Sequence, residues 1–259
     1  MSISRIIDSF NQRLIPNRSN KIFSYYSNSG SGTYTTNTNC WASGVNLSCH
    51  SVYNSTFGNQ YNVTAISRNV VAMANHIALS SGAIVRFADG KGFVHQNEIV
   101  ATSNLVDDLT LGKLKYTLPN EIVHAQIYTG EVYPSFTTPY IPVLVINQIH
   151  HATVLNLKSM DIYNNVYISA PFLFEQDKIK YYEPIINGDS GSPVFIIDES
   201  GKPLLLTCLY QTIGGPSYLH YQNQINKYVI ENKSPIYNDR IHLDEETHVF
   251  TPEMPDGVQ

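Results

Sequence analysis

The chain carries little charge and has no long apolar run. Lysine, arginine, aspartate and glutamate together make up 14% of its 259 residues, and the formal net charge at pH 7 is -5. Binding to a nucleic-acid backbone depends on clustered lysine and arginine, so we expect no nucleic-acid partner. No apolar run reaches the length that crosses a membrane, so we expect no membrane partner either.

Cysteine is also scarce. The three cysteines, Cys40, Cys49 and Cys208, cannot all pair within one chain, and their spacing matches no metal-binding motif. We therefore predict no metal and no cofactor. The N-terminal segment lacks the apolar core of a signal peptide, which favours a cytoplasmic or virion-associated protein with reduced, buried thiols. A Cys40–Cys49 disulfide stays open as an alternative if the protein works outside a reducing compartment.

One short helix is predicted at the N-terminus, within residues 1–20. One face of this helix is apolar, and an apolar helix face normally packs on a domain. We therefore expect the helix to dock on the body of the chain or to bind an assembly partner. The apolar residues that recur at the spacing of one helical face are Ile3, Ile6, Ile7, Phe10 and Leu14.

The rest of the chain is rich in strand-forming residues. It contains 18 Tyr and 10 Phe, and from about residue 20 short β-rich runs alternate with Gly, Asn, Asp and Pro. This pattern predicts an all-β fold, a sandwich or a barrel. Four prolines within residues 119–142 suit a connection between two barrels. A helix is expected near 219–231, followed by an extended acidic tail over 232–259 that wraps on the body or reaches a partner.

Residues 185–195, IINGDSGSPVF, place a forced bend in front of a buried strand. Glycines and a proline interrupt regular structure, and the run from Val194 onward indicates a strand. Ser190 lies at the bend, either as an ordinary turn residue or as an exposed nucleophile. A serine nucleophile needs a neighbouring base and an orienting carboxylate, so partners elsewhere in the chain decide between the two.

Two further segments supply such partners. Among the nine histidines, His76 is the best placed, because AMANHI ends a strand pair and would lift the imidazole into a cleft. Asp108 precedes the alternating segment Leu109–Leu111, which would carry its side chain inward, whereas Asp107 would point the other way. The candidate base, acid and nucleophile therefore follow the chain order His76, Asp108, Ser190.

The three segments together resemble those of the chymotrypsin and trypsin-like serine endopeptidases. GDSGSP at 188–193 resembles the nucleophile motif of that family, AISRNVVAMANHI its strand, turn and strand ending in histidine, and DLTLGKL its acid-bearing segment. The resemblance covers roughly residues 35–231. It implies two antiparallel six-stranded β-barrels, with His76 and Asp108 in the first barrel and Ser190 in the second.

The resemblance also implies a mechanism. A Ser190–His76–Asp108 triad would hydrolyse peptide bonds through an acyl-enzyme, and the backbone N–H groups of Gly188 and Ser190 would form the oxyanion hole. Two positions depart from the family. Ile77 stands where cysteine is frequent, so the nearby disulfide of the family is absent, and Asn75 stands where alanine is usual.

The expected domain organisation and substrate pocket follow from the resemblance. The segments are an N-terminal helical segment at 1–20, a barrel at 21–118, a linker at 119–142, a second barrel with its closing helix at 143–231, and the tail at 232–259. Glu183 is the one charged residue of the expected pocket, and without it nothing favours a pocket for basic side chains. Gly214 and Gly215 are expected to let a substrate backbone pair alongside them. The full set of expected pocket residues is Glu183, Pro184, Ile185, Asn187, Tyr210, Gly214 and Gly215.

Two other functions fit the same residues. The chain could be a protease-like scaffold that serves as a structural or interaction module in a larger assembly, for example a virus particle, because a fold does not guarantee activity. It could also be a protease whose own terminal segments are its substrate. The main interpretation is a trypsin-like serine endopeptidase that acts on a protein or peptide substrate.

Overall fold

The computed structural model describes residues 3–27, 33–54, 61–106, 108–129, 140–160, 165–232, 241–243 and 250–252. Asp107, the middle of the expected linker and most of the expected acidic tail lie outside the described residues. The fold is all-β with few helices, as the sequence predicts. None of the helices in the described part of the chain is both long and apolar enough to cross a membrane.

The N-terminal segment consists of a helix and a small hairpin. Helix α1 (Ile3–Asn11) is followed by strands β1 (Phe23–Tyr26) and β2 (Tyr34–Thr36), which pair antiparallel. Ile6 and Ile7 are buried in the core of the second barrel, and the Phe10 ring packs 5.3 Å from that of Trp41. The predicted helix is confirmed, and its apolar face docks on the body of its own chain.

Six antiparallel strands form the first barrel, in the spatial order β3-β6-β7-β8-β5-β4. A backbone bridge between His50 and Thr64 joins the two edges of this sheet. A single 3-10 turn, Asn75–Ile77, follows β5. The strands are β3 (Ser51–Asn54), β4 (Thr64–Ala65), β5 (Val70–Ala74), β6 (Ile84–Ala88), β7 (Val94–Val106) and β8 (Leu109–Leu114).

The second sheet has the order β15-β12-β11-β10-β13-β14-β9. Six of these strands pair antiparallel, and the two-residue β9 adds to the edge by pairing parallel to β14. Beyond β15 the chain returns to β14, where the Tyr218 N–H donates to the Leu206 carbonyl at 3.0 Å. The strands are β9 (Gln126–Ile127), β10 (Ile141–Ile146), β11 (Ala152–Met160), β12 (Asn165–Ser169), β13 (Pro193–Ile197), β14 (Pro203–Cys208) and β15 (Gly214–Pro216).

Short elements complete the structure. Helix α2 (Gln176–Ile179) lies between β12 and β13, and α3 (Gln222–Glu231) follows the second barrel at the place predicted for the closing helix. Farther along, β16 (Ile241–Leu243) pairs antiparallel with β17 (Phe250–Pro252). The largest apolar cluster contains buried residues of both barrels, among them Val71 and Phe195, so burial of apolar surface holds the barrels together.

All three cysteines are buried and free, so the Cys40–Cys49 disulfide does not form. Burial disfavours the thiolate. It raises the pKa of Cys40 and of Cys208 to about 11, and the pKa of Cys49 to about 12. The thiols therefore serve as small apolar core groups, as the sequence predicts.

Two buried histidines lie close together between the β1–β2 hairpin and the first barrel. His50 and His150 have ring centroids 6.2 Å apart, and Phe23, Tyr26 and Tyr34 surround the His150 ring. Burial lowers the pKa of His50 to about 3, with a further contribution from His150. Burial also lowers the pKa of His150 to about 4, with a further contribution from the neighbouring His151. Both imidazoles are therefore neutral near pH 7.

We expect the free energy of unfolding to fall as the pH drops from about 6.5 towards 4. Below about pH 6.5 the unfolded chain protonates both imidazoles, whereas the folded protein keeps them neutral, so each histidine removes about 1.4 kcal/mol per pH unit. Urea denaturation at several pH values between about 7 and 5 measures this slope, the change in the free energy of unfolding per pH unit. A His50→Phe variant should show a slope smaller by the contribution of one histidine. An identical slope in the variant and the wild type would contradict the prediction.

Candidate active site

The register of two neighbouring strands brings His76 and Asp108 together. In the antiparallel β5–β8 pair, Ala74 lies opposite Leu109, so the residues after β5 meet the residue that precedes β8. The Asn75 N–H donates to the Asp108 carbonyl at 3.0 Å and fixes the start of the 3-10 turn that carries His76. Strand β5 therefore ends at Ala74, and the turn lifts the imidazole off the barrel edge.

Asp108, His76 and Ser190 form a continuous line of hydrogen bonds. The Asp108 carboxylate accepts from the His76 backbone N–H at 2.7 Å and lies 2.6 Å from His76 Nδ1. His76 Nε2 lies 2.8 Å from Ser190 Oγ. Because a carboxylate only accepts, Nδ1 carries the imidazole proton, and Nε2 of the neutral ring is left to accept the serine hydroxyl. This arrangement prepares the hydroxyl for proton removal.

The bend at Ser190 is held by a buried carboxylate. Asp189 accepts hydrogen bonds from the backbone N–H of Ile186 at 2.9 Å and of Gln148 at 3.0 Å. Burial raises the pKa of Asp189, and these two donors partly oppose that rise because they stabilise the ionised form. Asp189 therefore shapes the bend, and its two oxygens are occupied by backbone donors.

Two amides of the bend are available to a ligand. The N–H groups of Asp189, Gly191 and Ser192 donate to backbone carbonyls. In the described part of the chain, the N–H groups of Gly188 and Ser190 donate to no protein acceptor. Gly188 has φ +103°, which an L side chain rarely adopts. These are the two amides that the sequence assigns to an oxyanion hole.

The first barrel packs directly on this bend through Asn62. Its side-chain amide donates to Ser192 Oγ at 2.8 Å, and both residues are buried. A Cβ on Gly191, whose φ is +80°, would lie 2.4 Å from the Asn62 carbonyl oxygen. Sequence reasoning missed Asn62, because a contact between residues 130 positions apart leaves no local signal.

A cavity of about 270 Å³ opens beside Ser190. Three of the predicted pocket residues, Ile185, Asn187 and Tyr210, line it. No side chain of lysine, arginine or glutamate is among the described residues that line it, and Asp189 is already engaged by amides. The lining residues that the sequence did not single out as pocket residues are Ile186, Gly188, Asp189, Ser190, Gln211 and Thr212.

Glu183 does not belong to the pocket, which corrects the sequence expectation. Its carboxylate lies 2.8 Å from His151 Nδ1, accepts from the Asn147 side chain at 3.0 Å and is also hydrogen-bonded by Asn20. These partners turn the carboxylate away from the Ser190 cavity, and the neighbouring Pro184 does not line the cavity either.

Gly214 and Gly215 are corrected as well. Both are buried in β15, where Gly214 pairs with Tyr167 and Gly215 with Val166 on β12. This pairing occupies one edge of β15, and neither glycine lines the cavity, so they are not part of the pocket beside Ser190. A Cβ on Gly214 would lie 1.9 Å from the Val166 carbonyl oxygen, so the crowding between strands explains the glycine.

Gln148 is a contact of the site that the sequence did not indicate. Its side-chain amide donates to the Asn187 carbonyl at 3.3 Å, and a Cβ on Gly188 would lie 2.5 Å from its Oε1. The side chain therefore packs against the peptide that precedes the free Gly188 amide.

Within the described residues, no group of three or more His, Cys, Asp or Glu side chains is arranged to hold a metal ion.

Solved structures with the same fold include kallikrein-related peptidase 10, alone and in complex with Zn²⁺, and a mutant of human heparin binding protein (CAP37). The TM-score is 0.53 for the Zn²⁺ complex and 0.52 for the other two, with identities of 13%, 14% and 15% for the complex, the peptidase alone and the heparin binding protein. The alignments cover 71%, 71% and 73% of this chain and 96%, 95% and 94% of those chains, in the same order. The chain therefore has the chymotrypsin-like serine protease fold.

Comparison by sequence adds no relative. No protein-family model matches the sequence, and no curated protein matches it. At 13–15% identity, the likeness to these structures shows the fold and does not establish an activity.

We expect Gly191→Ala to destabilise the protein much more than Gly82→Ala. Gly82 has a similar φ of +89° with nothing within 4 Å of an added Cβ, so its substitution measures conformational strain alone, about 1–2 kcal/mol. Gly191→Ala adds the clash with the Asn62 carbonyl and should cost at least about 3 kcal/mol. Urea denaturation of both variants gives the comparison. Equal losses of stability would show that the two barrels do not press together at this glycine.

Proposed function

We propose that the protein is a serine endopeptidase that uses Ser190 as its nucleophile. The observation that carries the proposal is the unbroken line of hydrogen bonds from the Asp108 carboxylate through the His76 imidazole to Ser190 Oγ. A serine hydroxyl is weakly nucleophilic alone, and an adjacent imidazole in the correct tautomer is what activates it.

In the first half of the reaction, Ser190 Oγ attacks the carbonyl carbon of the scissile peptide bond as its proton passes to His76 Nε2. Asp108 holds the imidazole in place and stabilises the imidazolium that forms. The two bonds that Asp108 makes to His76, one to the ring and one to the backbone, restrict both the position and the orientation of the base. The tetrahedral intermediate then collapses, the C–N bond breaks, and His76 returns the proton to the amine.

In the second half, water hydrolyses the acyl-Ser190 ester. His76 again accepts a proton, now from water, and gives it back to Ser190 Oγ as the acyl group leaves as a carboxylic acid. In both halves the negative charge develops on the former carbonyl oxygen. The unoccupied N–H groups of Gly188 and Ser190 are suited to donate to that oxygen, which lowers the energy of the transition state.

The cavity beside Ser190 favours an uncharged side chain on the acyl side of the scissile bond. Its volume is about 270 Å³, and Asp189, its one carboxylate, is committed to two backbone amides. Glu183 was the one residue of the predicted pocket with a charge that could pair with a basic substrate. Its carboxylate is bonded to His151 and lies outside the cavity. A charged side chain would lose its hydration in this pocket without gaining a partner.

The alternative is a protease-like scaffold with an interaction role. One structural neighbour is a mutant of human heparin binding protein, so the fold also occurs in a protein named for what it binds. The alternative makes the opposite prediction about Ser190, because a purely structural module does not need an activated hydroxyl.

A fluorophosphonate probe should label Ser190 in the folded protein. Labelling requires an activated serine hydroxyl, so Ser190→Ala should abolish it and His76→Ala should slow it by a factor of about 10³ or more. Intact-mass measurement and peptide mapping give the extent and the site. The exposed residues Ser80 and His220 provide the matched controls Ser80→Ala and His220→Ala, which should label like the wild type. Unlabelled wild type with a native circular dichroism spectrum would favour the structural module.

Peptide substrates with uncharged residues before the scissile bond should be cleaved best. We expect kcat/KM for leucine or glutamine at this position to exceed that for arginine or aspartate by a factor of about 10² or more, because the charged side chains leave water without a counter-charge. A matched peptide library that varies only this position measures the ratios. Preferred cleavage after arginine would contradict the assignment of the pocket, while leaving the nucleophile assignment intact.

A further inference from the structure

The turn that precedes Ser190 has two accessible arrangements. The Asp189 N–H donates to the Ile186 carbonyl at 3.1 Å and closes a β-turn with Asn187 and Gly188 at its centre. Gly188 has φ +103°, and a positive φ at this position is the signature of a type II turn. Rotating the Asn187–Gly188 peptide by about 180° gives a type I turn, the commonest type, with the same closing hydrogen bond. Glycine is compatible with both arrangements, so the turn residues alone do not select one of them.

The orientation of this peptide decides whether the candidate oxyanion hole has two donors. A trans peptide is planar, and its C=O and N–H groups point in opposite directions. The N–H group of this peptide belongs to Gly188 and donates to no protein acceptor in the described part of the chain. In the type I arrangement, the Asn187 carbonyl oxygen would replace that N–H group. Only the observed arrangement therefore offers a donor to a developing oxyanion.

Gln148 contacts the carbonyl side of the same peptide. Its side-chain Nε2 donates to the Asn187 carbonyl at 3.3 Å, the one hydrogen bond to that oxygen among the described residues. Its backbone N–H donates to the Asp189 carboxylate at 3.0 Å, so the side chain starts from a point that is fixed to the bend. The side-chain amide also fills the space where a Cβ on Gly188 would lie, 2.5 Å from Oε1.

We propose that Gln148 is a positioning residue that holds the Asn187–Gly188 peptide in the type II arrangement. Turning the peptide over would break the bond from Gln148 to the Asn187 carbonyl, so this bond favours the arrangement that leaves the Gly188 N–H group available. One neutral hydrogen bond shifts an equilibrium between two states by about five- to tenfold. The catalytic consequence rests on the proposed endopeptidase activity, whereas the hold on the peptide does not.

Gln148→Met tests the catalytic consequence. Methionine keeps the length of the side chain and the backbone N–H that reaches Asp189, but it has no side-chain donor. Labelling of Ser190 by a fluorophosphonate should slow about fivefold, because the oxyanion donors stabilise the charge that develops on the phosphoryl oxygen and a smaller fraction of the protein has both donors in place. The pH midpoint of labelling should not change, because the hydrogen bonds of His76 are unaltered. Gln224→Met, at an exposed glutamine, should label like the wild type.

A second readout follows the peptide itself and needs no activity. In protein labelled with ¹⁵N-glycine, the Gly188 amide should show no microsecond-to-millisecond exchange in the wild type, and it should show exchange or a shifted signal in Gln148→Met. Gln148→Glu, whose carboxylate does not donate to the Asn187 carbonyl, should show the same change, and the Gly82 amide should change in neither variant.

The two readouts separate the failure of this proposal from the failure of the proposed activity. An unlabelled wild type would contradict the endopeptidase activity, and the Gly188 signal would still decide the role of Gln148. An unchanged Gly188 signal in folded Gln148→Met and Gln148→Glu would overturn the proposal. Slower labelling with a shifted pH midpoint would overturn it too, because the loss would then act through His76.

Discussion

The contact between the two barrels at Ser190 is the constraint on which the candidate site depends. His76 and Asp108 come from the first barrel and Ser190 from the second, so a displacement of about 1 Å between the barrels would break the hydrogen bond between His76 and Ser190. The Asn62 side chain and the close approach of Gly191 to the Asn62 carbonyl lock the bend of the second barrel onto the first. The apolar core that spans both barrels supplies the bulk of the attraction.

Within the first barrel, the strand register sets the position of Asp108 relative to His76. The pairing of Ala74 with Leu109 places Asp108 beside the turn that carries His76, and the Asp108 carboxylate then binds both the backbone and the ring of that residue. A shift of one residue in this register would turn Asp108 to the other face of the sheet. The relative position of His76 and Asp108 is therefore fixed by the pairing of β5 with β8.

The loop over residues 147–151 connects the N-terminal segment to the bend that carries Ser190. Its His150 carbonyl accepts the Ile22 N–H at 3.0 Å, and its Gln148 N–H donates to Asp189 at 3.0 Å. The same loop carries His151, which engages Glu183. Residues that look like pocket candidates in the sequence, Glu183 above all, are thus structural links between the loop and its surroundings.

The local patterns of the sequence predicted the all-β class, helices α1 and α3 and the bend at Ser190, but not the β1–β2 hairpin, α2 or the β16–β17 pair. Glycine and proline punctuation between β-rich runs marks the strands, the spacing of Ile3, Ile6, Ile7 and Phe10 marks α1, and GDSGSP marks a bend, because these features depend on neighbours along the chain. The motifs also nominated His76, Asp108 and Ser190, which the structure brings together. The roles of Glu183, Gly214 and Gly215 could not be inferred in this way.

Tertiary structure alone decided what surrounds those three residues. The Glu183 carboxylate is bonded to His151, and Gly214 and Gly215 pair with β12. Asn62 and Gln148 reach the bend from distant parts of the chain. Hydrogen-bond partners and enclosed volumes depend on distances between residues far apart in sequence, and no local pattern encodes those distances.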